Sequence, residues 1–212
     1  MKIPLQLKCP RCGALQTQRV HLNNPSFDFT CEKCGKTSYG VSSLDNTVGV
    51  LILAKSWHEL EIEKDYDMAI VLAATALDCE LSFLYCKWKD FEALNANTDP
   101  KEKDYEEELR SMGKIVDKIA KVTKILDPRG IEQFVADSSW KDVICKGFPS
   151  LHLGSLANDF QETVFWPRNK ILHQGDVSHT REDAAKSYTI AELGIRILKD
   201  MDKARRKAVD LV

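Results

Sequence analysis

The chain contains no run of eighteen or more apolar residues, and Met1-Lys2-Ile3-Pro4 lacks the charged-then-apolar pattern of a secretory leader. These absences lead to the expectation of a cytoplasmic protein with no membrane association. Gly194 is isolated, and neither a GxGxxG nor a Walker sequence occurs, which argues against nucleotide hydrolysis on a glycine-rich phosphate loop. No internal repeat or low-complexity tract is evident. An excess of one charge is missing too: 30 Lys and Arg against 32 Asp and Glu leave a formal charge of −2, which excludes a uniformly basic nucleic-acid coat. Seven cysteines, an odd number in a chain without a leader, do not suit a disulfide framework.

What is present is unevenly distributed. The 43% hydrophobic content of 212 residues suffices for one ordinary domain and a small accessory module. Residues 1–45 hold six basic side chains (Lys2, Lys8, Arg11, Arg19, Lys33, Lys36) against three acids, a net charge of +3, so the remainder carries −5. A polyanion would meet the N-terminal segment first. Four of the seven cysteines lie there as two CxxC pairs, Cys9/Cys12 and Cys31/Cys34, each followed directly by glycine, Gly13 and Gly35. Two intervening residues let both thiolates of a tight turn face one tetrahedral ion, and glycine tolerates the positive φ such turns need. The pattern specifies a four-cysteine structural Zn2+ site. With strands expected around Thr17–Leu22 and Phe27–Thr30, residues 1–45 resemble a zinc ribbon. Four thiolates leave no open position for water, so no catalytic metal is expected, and His21 is read as a surface side chain. Whether the ribbon grips RNA or a protein stays open.

Residues 46–212 read as a helical domain, which makes the fold class mainly α, a helical bundle preceded by a small β ribbon. A first helix is expected over 48–61, although Val50-Leu51-Ile52-Leu53 also suits a strand. A long alanine-rich helix, capped by Asp65 or Asp67, runs to about Phe91. Projected at about 100° per residue, Thr75, Asp78, Ser82 and Tyr85 share its expected wet face. Glu80 falls opposite, amid Ala69, Ala73, Ala76, Phe83 and Leu84, where a carboxylate is costly unless it meets a cation or donor, or reaches solvent at the helix edge. A third helix is expected over 105–126, with Leu109, Met112, Val116, Ile119 and Leu126 as its core stripe. Shorter pieces follow at 131–137 and 139–146, then a helix over 155–173 that Pro167 kinks or restarts. Thr180-Arg181-Glu182-Asp183 has the form of a capping box opening a last helix to about Ala208, whose basic end suits a helix C-terminus.

The chemistry-bearing stretch is Arg168-Asn169-Lys170-Ile171-Leu172-His173, followed by Gln174-Gly175. Arginine carries a fixed charge that forks onto phosphate oxygens, and histidine exchanges a proton near neutral pH. On a helix Asn169 and His173 share a face, whereas Arg168, five residues before His173, points about 140° away. One copy therefore directs its cation and its imidazole apart, and two copies across a C2 axis could enclose one phosphate. A homodimer is the economical inference. The alternative use of these residues is structural: Arg168 pairs with Glu80 inside the bundle and His173 caps the helix end. His152 and His179 are expected in solvent, and His58 at the surface or the core edge.

The Arg-polar-x3-His spacing of Arg168, Asn169 and His173, with Gly175 after it, the alanine-rich helix Asp67–Glu80 and the capped last helix, resembles the HEPN family of small helical bundles over about residues 55–208. The resemblance implies a metal-independent endoribonuclease acting on single-stranded RNA at a composite dimeric site, in the manner of toxin or antiviral (phage-defence) members. His173 would then move the proton of the ribose 2′-hydroxyl or of the leaving 5′-oxygen. Arg168 would stabilise the anionic phosphorane, Asn169 would orient phosphate or imidazole, and Glu80 would support the cationic end. RNA, a second copy and an antitoxin or other regulatory protein are the implied partners, and the zinc takes no chemical part. Because members carrying a tyrosine two residues after the histidine are controlled by nucleotidylation, Gly175 departs from that control. Other HEPN domains bind RNA or assemble without cleaving, which leaves a non-catalytic RNA-binding or protein-interaction adaptor as the alternative.

Overall fold

The computed structural model describes residues 2–8, 14–21, 26–35, 37–41, 47–98 and 102–209. The molecule is mainly helical. Toward its N-terminus, β1 (Lys2–Lys8) pairs antiparallel with β2 (Leu15–His21), Lys8 opposite Leu15, and β3 (Ser26–Thr30) pairs with β4 (Thr37–Val41), Thr30 opposite Thr37. The sequence had suggested strands near β2 and β3, and as an alternative at 50–53, which is helical here. Their partners β1 and β4 escaped because Pro4 and Gly40 interrupt the pattern of strand-forming side chains.

The helical part begins with α1 (Val48–His58), which runs into a π-helical turn (Glu59–Glu63) and then α2 (Tyr66–Asn95). The capping residue of α2 is Asp65, whose carboxylate accepts from the Met68 N–H at 3.0 Å. By length and apolar character α2 could cross a membrane; here its buried residues, among them Leu77, Leu81, Leu84 and Trp88, form the centre of the bundle core. Against one side lies α1, drawn close by small residues. Ala69, Ala73 and Ala76 are fully buried, and a Cβ added to Gly49 would sit 2.6 Å from the Ala76 carbonyl oxygen. Buried Ser56 in α1 gives its hydroxyl proton to the Ala69 carbonyl at 2.7 Å, so this polar side chain in the seam is satisfied.

The single third helix expected over 105–126 is two: α3 (Glu102–Arg110) and α4 (Ile115–Leu126). Ser111 donates to the Glu108 carbonyl at 2.8 Å, Gly113 gives the backbone freedom, and Lys114 is extended at φ −123°, so the chain turns a corner at 111–114. The apolar stripe continues across the corner, with Leu109, Ile119 and Leu126 buried, which is why periodicity alone bridged it. Next come α5 (Gly130–Ala136), α6 (Trp140–Gly147), α7 (Leu156–Phe160), a second π-helical turn (Gln161–Phe165), α8 (Trp166–Gln174) and α9 (Arg181–Ala208). The box at Thr180 forms as expected: its hydroxyl accepts from the Asp183 N–H, and the Asp183 carboxylate accepts from the Thr180 N–H.

α9 packs along α2 through Ile190, Ala191, Ile197, Leu198 and Met201, with Gly194 against Leu77 and Phe160. Asp202 is a buried carboxylate there, 4% exposed, and three side chains serve it: Lys87 at 2.7 Å, the Trp88 indole N–H at 2.7 Å and Arg206 at 2.9 Å. Part of the basic end of α9 is therefore employed in the fold, since Arg205 also lies over the Trp88 ring.

Candidate nucleic-acid interface

The Arg168 segment enters through the second π-helical turn, and Pro167 stands in the first turn of α8. Proline is tolerated there because the first N–H groups of a helix have no partner within it, so the expected restart at Pro167 is observed. The helix stops at Gly175 in the left-handed region (φ 66°, ψ 25°), whose N–H reaches the Lys170 carbonyl. Arg168 is half-buried, its Nη1 donating to the Asn169 side-chain oxygen at 3.2 Å. Its Nε is buried and has no hydrogen-bond partner among the described residues. That is a strong donor held out of water with nothing to serve.

Arg168 and Asn169 line an open cleft of about 590 Å³ between α8 and the α3/α4 corner. The other charged groups on its wall are Arg110, Lys114, Lys118, Lys170 and a single acid, Asp78. Lys118 is already engaged, bonding to Asp78 at 2.5 Å and to the Ser82 hydroxyl at 2.9 Å. Among the described residues Lys114, Arg168 and Lys170 have no ion-pair partner, and Arg110 is the fourth cation on the wall. Arg110 has only an exposed contact to Glu106, 3.1 Å away, which holds it weakly. Beside Asp78, Cys79 is kept as a thiol: burial, and then the Asp78 charge, push its pKa up. No thiolate is thereby placed at the cleft.

The face of α2 expected to be wet is covered. Tyr85 is fully buried and donates its hydroxyl to Glu108 at 2.5 Å, while Asp78 and Ser82 meet α4 through Lys118. Burial and the Glu108 hydrogen bond raise the Tyr85 pKa, and Lys121, followed by Tyr85, lowers that of Glu108.

His173 is exposed and does not line the cleft, and no polar group among the described residues bonds to its ring. The divergence of Arg168 and His173 inferred from helical geometry is thus present within the chain. Glu80 corrects the sequence reading. Of the two uses left open for it, burial against a donor and exposure at the helix edge, the structure has the first: it is fully buried, the Thr47 hydroxyl donates to it, and its carboxylate lies under Gly49 of α1, while Phe83, expected beside it on the packed face, is exposed. Glu80 borders a separate cavity of about 310 Å³ with Lys87, Lys199 and Arg206, away from the wall that carries Arg168. The α1 seam packs over the part of α2 where Arg168 had been placed. Glu80 therefore supports the α1–α2 junction and not the cationic end of the motif.

His179 is another correction: it is largely buried and bonds through Nδ1 to Asp67 at 2.8 Å, joining the start of α2 to the segment before α9. His152 is exposed, as expected, and His58 lies at the core edge near Glu63. Sequence reasoning missed Arg110, Lys114, Lys118 and Lys170. Lys170 lies inside the motif stretch but was given no role there; the other three carry no motif spacing, and the corner at 111–114 that gathers them was read as straight helix.

At the second CxxC pair, Cys31 is buried and Cys34 half-buried on the turn 32–34, which joins β3 to the segment leading to β4. Gly35 is left-handed at φ 65° and its N–H bonds to the Cys31 carbonyl at 2.8 Å. This turn fits the half-site of a tetrahedral thiolate ion. Cys9 and Cys12 lie outside the described residues. No family model matches the chain, and neither a curated protein nor a solved structure matches it.

Proposed function

We propose that the bundle is a HEPN-like, metal-independent endoribonuclease that takes single-stranded RNA along the cationic cleft and cuts it at a centre completed by a second copy. The observation that carries this reading is the cleft wall, where Arg168 and Asn169 of the motif stand beside Arg110, Lys114 and Lys170 with one acid, itself neutralised by Lys118. A phosphate entering the cleft would meet the fixed charge of the half-buried Arg168 guanidinium.

In the reaction the ribose 2′-oxygen attacks the adjacent phosphorus and the bond to the 5′-oxygen breaks, leaving a 2′,3′-cyclic phosphate and a 5′-hydroxyl. Two His173 side chains, one from each copy, can take the 2′ proton and return one to the departing oxygen. Arg168 stabilises the charge that accumulates on the phosphorane, and Asn169, whose oxygen is occupied by Arg168, has its amide N–H groups free to hold a phosphate oxygen. Dimerisation explains the chemistry economically, since His173 faces solvent on the outer side of α8. An enzyme that cuts RNA in its own cell needs restraint, which suits a toxin or antiviral effector held by an antitoxin or regulatory protein.

Cys9, Cys12, Cys31 and Cys34 would hold one structural Zn2+ that stabilises a segment too small to fold alone. The expected content is one zinc per chain, lost in Cys31→Ser.

The test is cleavage of single-stranded RNA by the purified full chain. His173→Ala should abolish cutting while leaving RNA bound, and a 2′-deoxy substitution at the cut should block it. Brief chelation should leave activity intact. Undiminished cleavage by His173→Ala, or tolerance of the 2′-deoxy sugar, overturns the mechanism. His173, exposed and with no partner among the described residues, also suits a second reading, a non-catalytic RNA-binding adaptor, for which the expected result is binding without cleavage by the unmodified chain.

A further inference from the structure

Trp166 opens α8 two residues before Arg168 and is 52% exposed. The chain has four tryptophans, and the other three are occupied in the fold. Trp88 and Trp140 are 1% and 7% exposed and give their indole N–H groups to Asp202 and Asp200, and Trp57 is half-buried. The Trp166 indole N–H has no hydrogen-bond partner among the described residues, and a half-exposed ring with one cation against it is not held as the buried rings are. It lies on the wall of the cationic cleft and also borders a neighbouring cleft of about 620 Å³ of mixed charge, where Lys170 and Lys186 face Glu162, Asp176 and Asp183. Lys170 spans both, its ammonium 5.5 Å from the Trp166 ring centroid.

An apolar partner resting on this ring would also bury Lys170 and the guanidinium of Arg168, whose Nε already lacks an acceptor, and leave both unsatisfied. A nucleotide meets both requirements together, because a base covers the ring while the attached phosphate reaches Arg168 or Lys170. Base faces are available in a single strand and closed in a duplex, where they stack on one another. We infer that Trp166 is a stacking platform for one base of single-stranded RNA, fixing the strand on the cleft next to the phosphate held by Arg168. This rests on the RNA-cleaving reading of the same cleft and adds to it the residue that sets the register of the strand.

The experiment uses the full chain carrying His173→Ala, so that RNA is bound and not consumed, with labelled dodecauridylate as the probe. Binding should quench tryptophan emission, since Trp166 is the exposed indole. Trp166→Ala should remove most of that quench and weaken binding roughly 5- to 150-fold, the range for loss of one base-aromatic stack. It should leave the salt dependence unchanged, because no cation has been removed. Trp166→Phe should recover most of the affinity. If Trp166→Ala binds as tightly as its parent, the strand is held by its phosphates alone and stacking is refuted while the RNA reading stands. A folded protein, judged by circular dichroism, that binds no RNA in any version refutes both. If Trp166→Ala weakens binding only as it dissociates the protein on light scattering, the ring belongs to an interface between copies and the stacking role is overturned.

Discussion

Removing one charge from the cleft should alter how salt controls RNA binding, by an amount the wall itself specifies. Among the described residues Lys114, Arg168 and Lys170 have no ion-pair partner and Arg110 is held only weakly by exposed Glu106, so four cations are available to a polyanion, whereas Lys118 is neutralised by Asp78. If each free cation displaces one counterion from a single strand, the logarithm of the affinity falls with the logarithm of salt at a slope of about 2.8 per cleft, since each phosphate contact contributes about 0.7. Between 50 and 200 mM salt the affinity should then drop about 50-fold. Lys114→Gln should lower the slope to about 2.1, and the drop to about 18-fold. Asp78→Asn acts in the opposite sense by releasing Lys118, and the slope should rise to about 3.5. Fluorescence anisotropy of a labelled dodecauridylate with the His173→Ala chain, at four or five salt concentrations, reads all three slopes. A slope below about 1 for the parent, or the same slope in all three proteins, would show that the cleft does not carry the strand.

Three further outcomes concern the fold. Gly49→Ala places a methyl 2.6 Å from a backbone oxygen and 2.9 Å from the Glu80 carboxylate, so α1 must move off α2; a loss of about 1 to 3 kcal/mol in urea unfolding is expected, and an unchanged midpoint would refute the close seam. Asp202→Ala leaves Lys87, Arg206 and the Trp88 N–H without their shared acceptor; because both cations are about one-third exposed, the cost should lie near the lower end for a broken buried pair, about 3 kcal/mol. Tyr188 should ionise late: burial first, and the Glu192 charge second, push its pKa up to about 12. A folded-state pKa above the unfolded value of about 10 gives stability that is present below pH 10 and lost as pH rises toward 12, and ultraviolet titration of Tyr188→Phe should lack one late-ionising tyrosine.

The π-helical turn before Pro167 illustrates how a local rule becomes part of a site. Proline cannot donate to the preceding turn, the helix widens over Gln161–Phe165, and α8 starts afresh with Trp166 and Arg168 on the cleft side. A continuous α-helix through these residues would rotate every later side chain, so the widened turn helps decide which of them reach the cleft.

Features governed by neighbours in the chain were legible in the sequence. The Asp65 cap, the Thr180–Asp183 box and the stop at Gly175 follow from side chains and backbone groups within three or four residues of one another. Helical periodicity likewise foretold the apolar stripes, the placing of Glu80 on the apolar side of its helix and the divergence of Arg168 from His173, and the glycine after Cys34 foretold its left-handed turn. Tertiary structure decided what those faces meet. Periodicity can state that Glu80 is inside but not that Thr47 serves it, and it cannot reveal that α3 and α4 cover Tyr85 or that Asp67 holds His179. The cleft itself was beyond the sequence, because Arg110, Lys114 and Lys118 join Arg168 and Lys170 only when the chain turns at 111–114 and α8 packs beside α2. Local order is fixed by energies between adjacent residues, whereas a charged surface is made by whichever distant segments the burial of the core forces together.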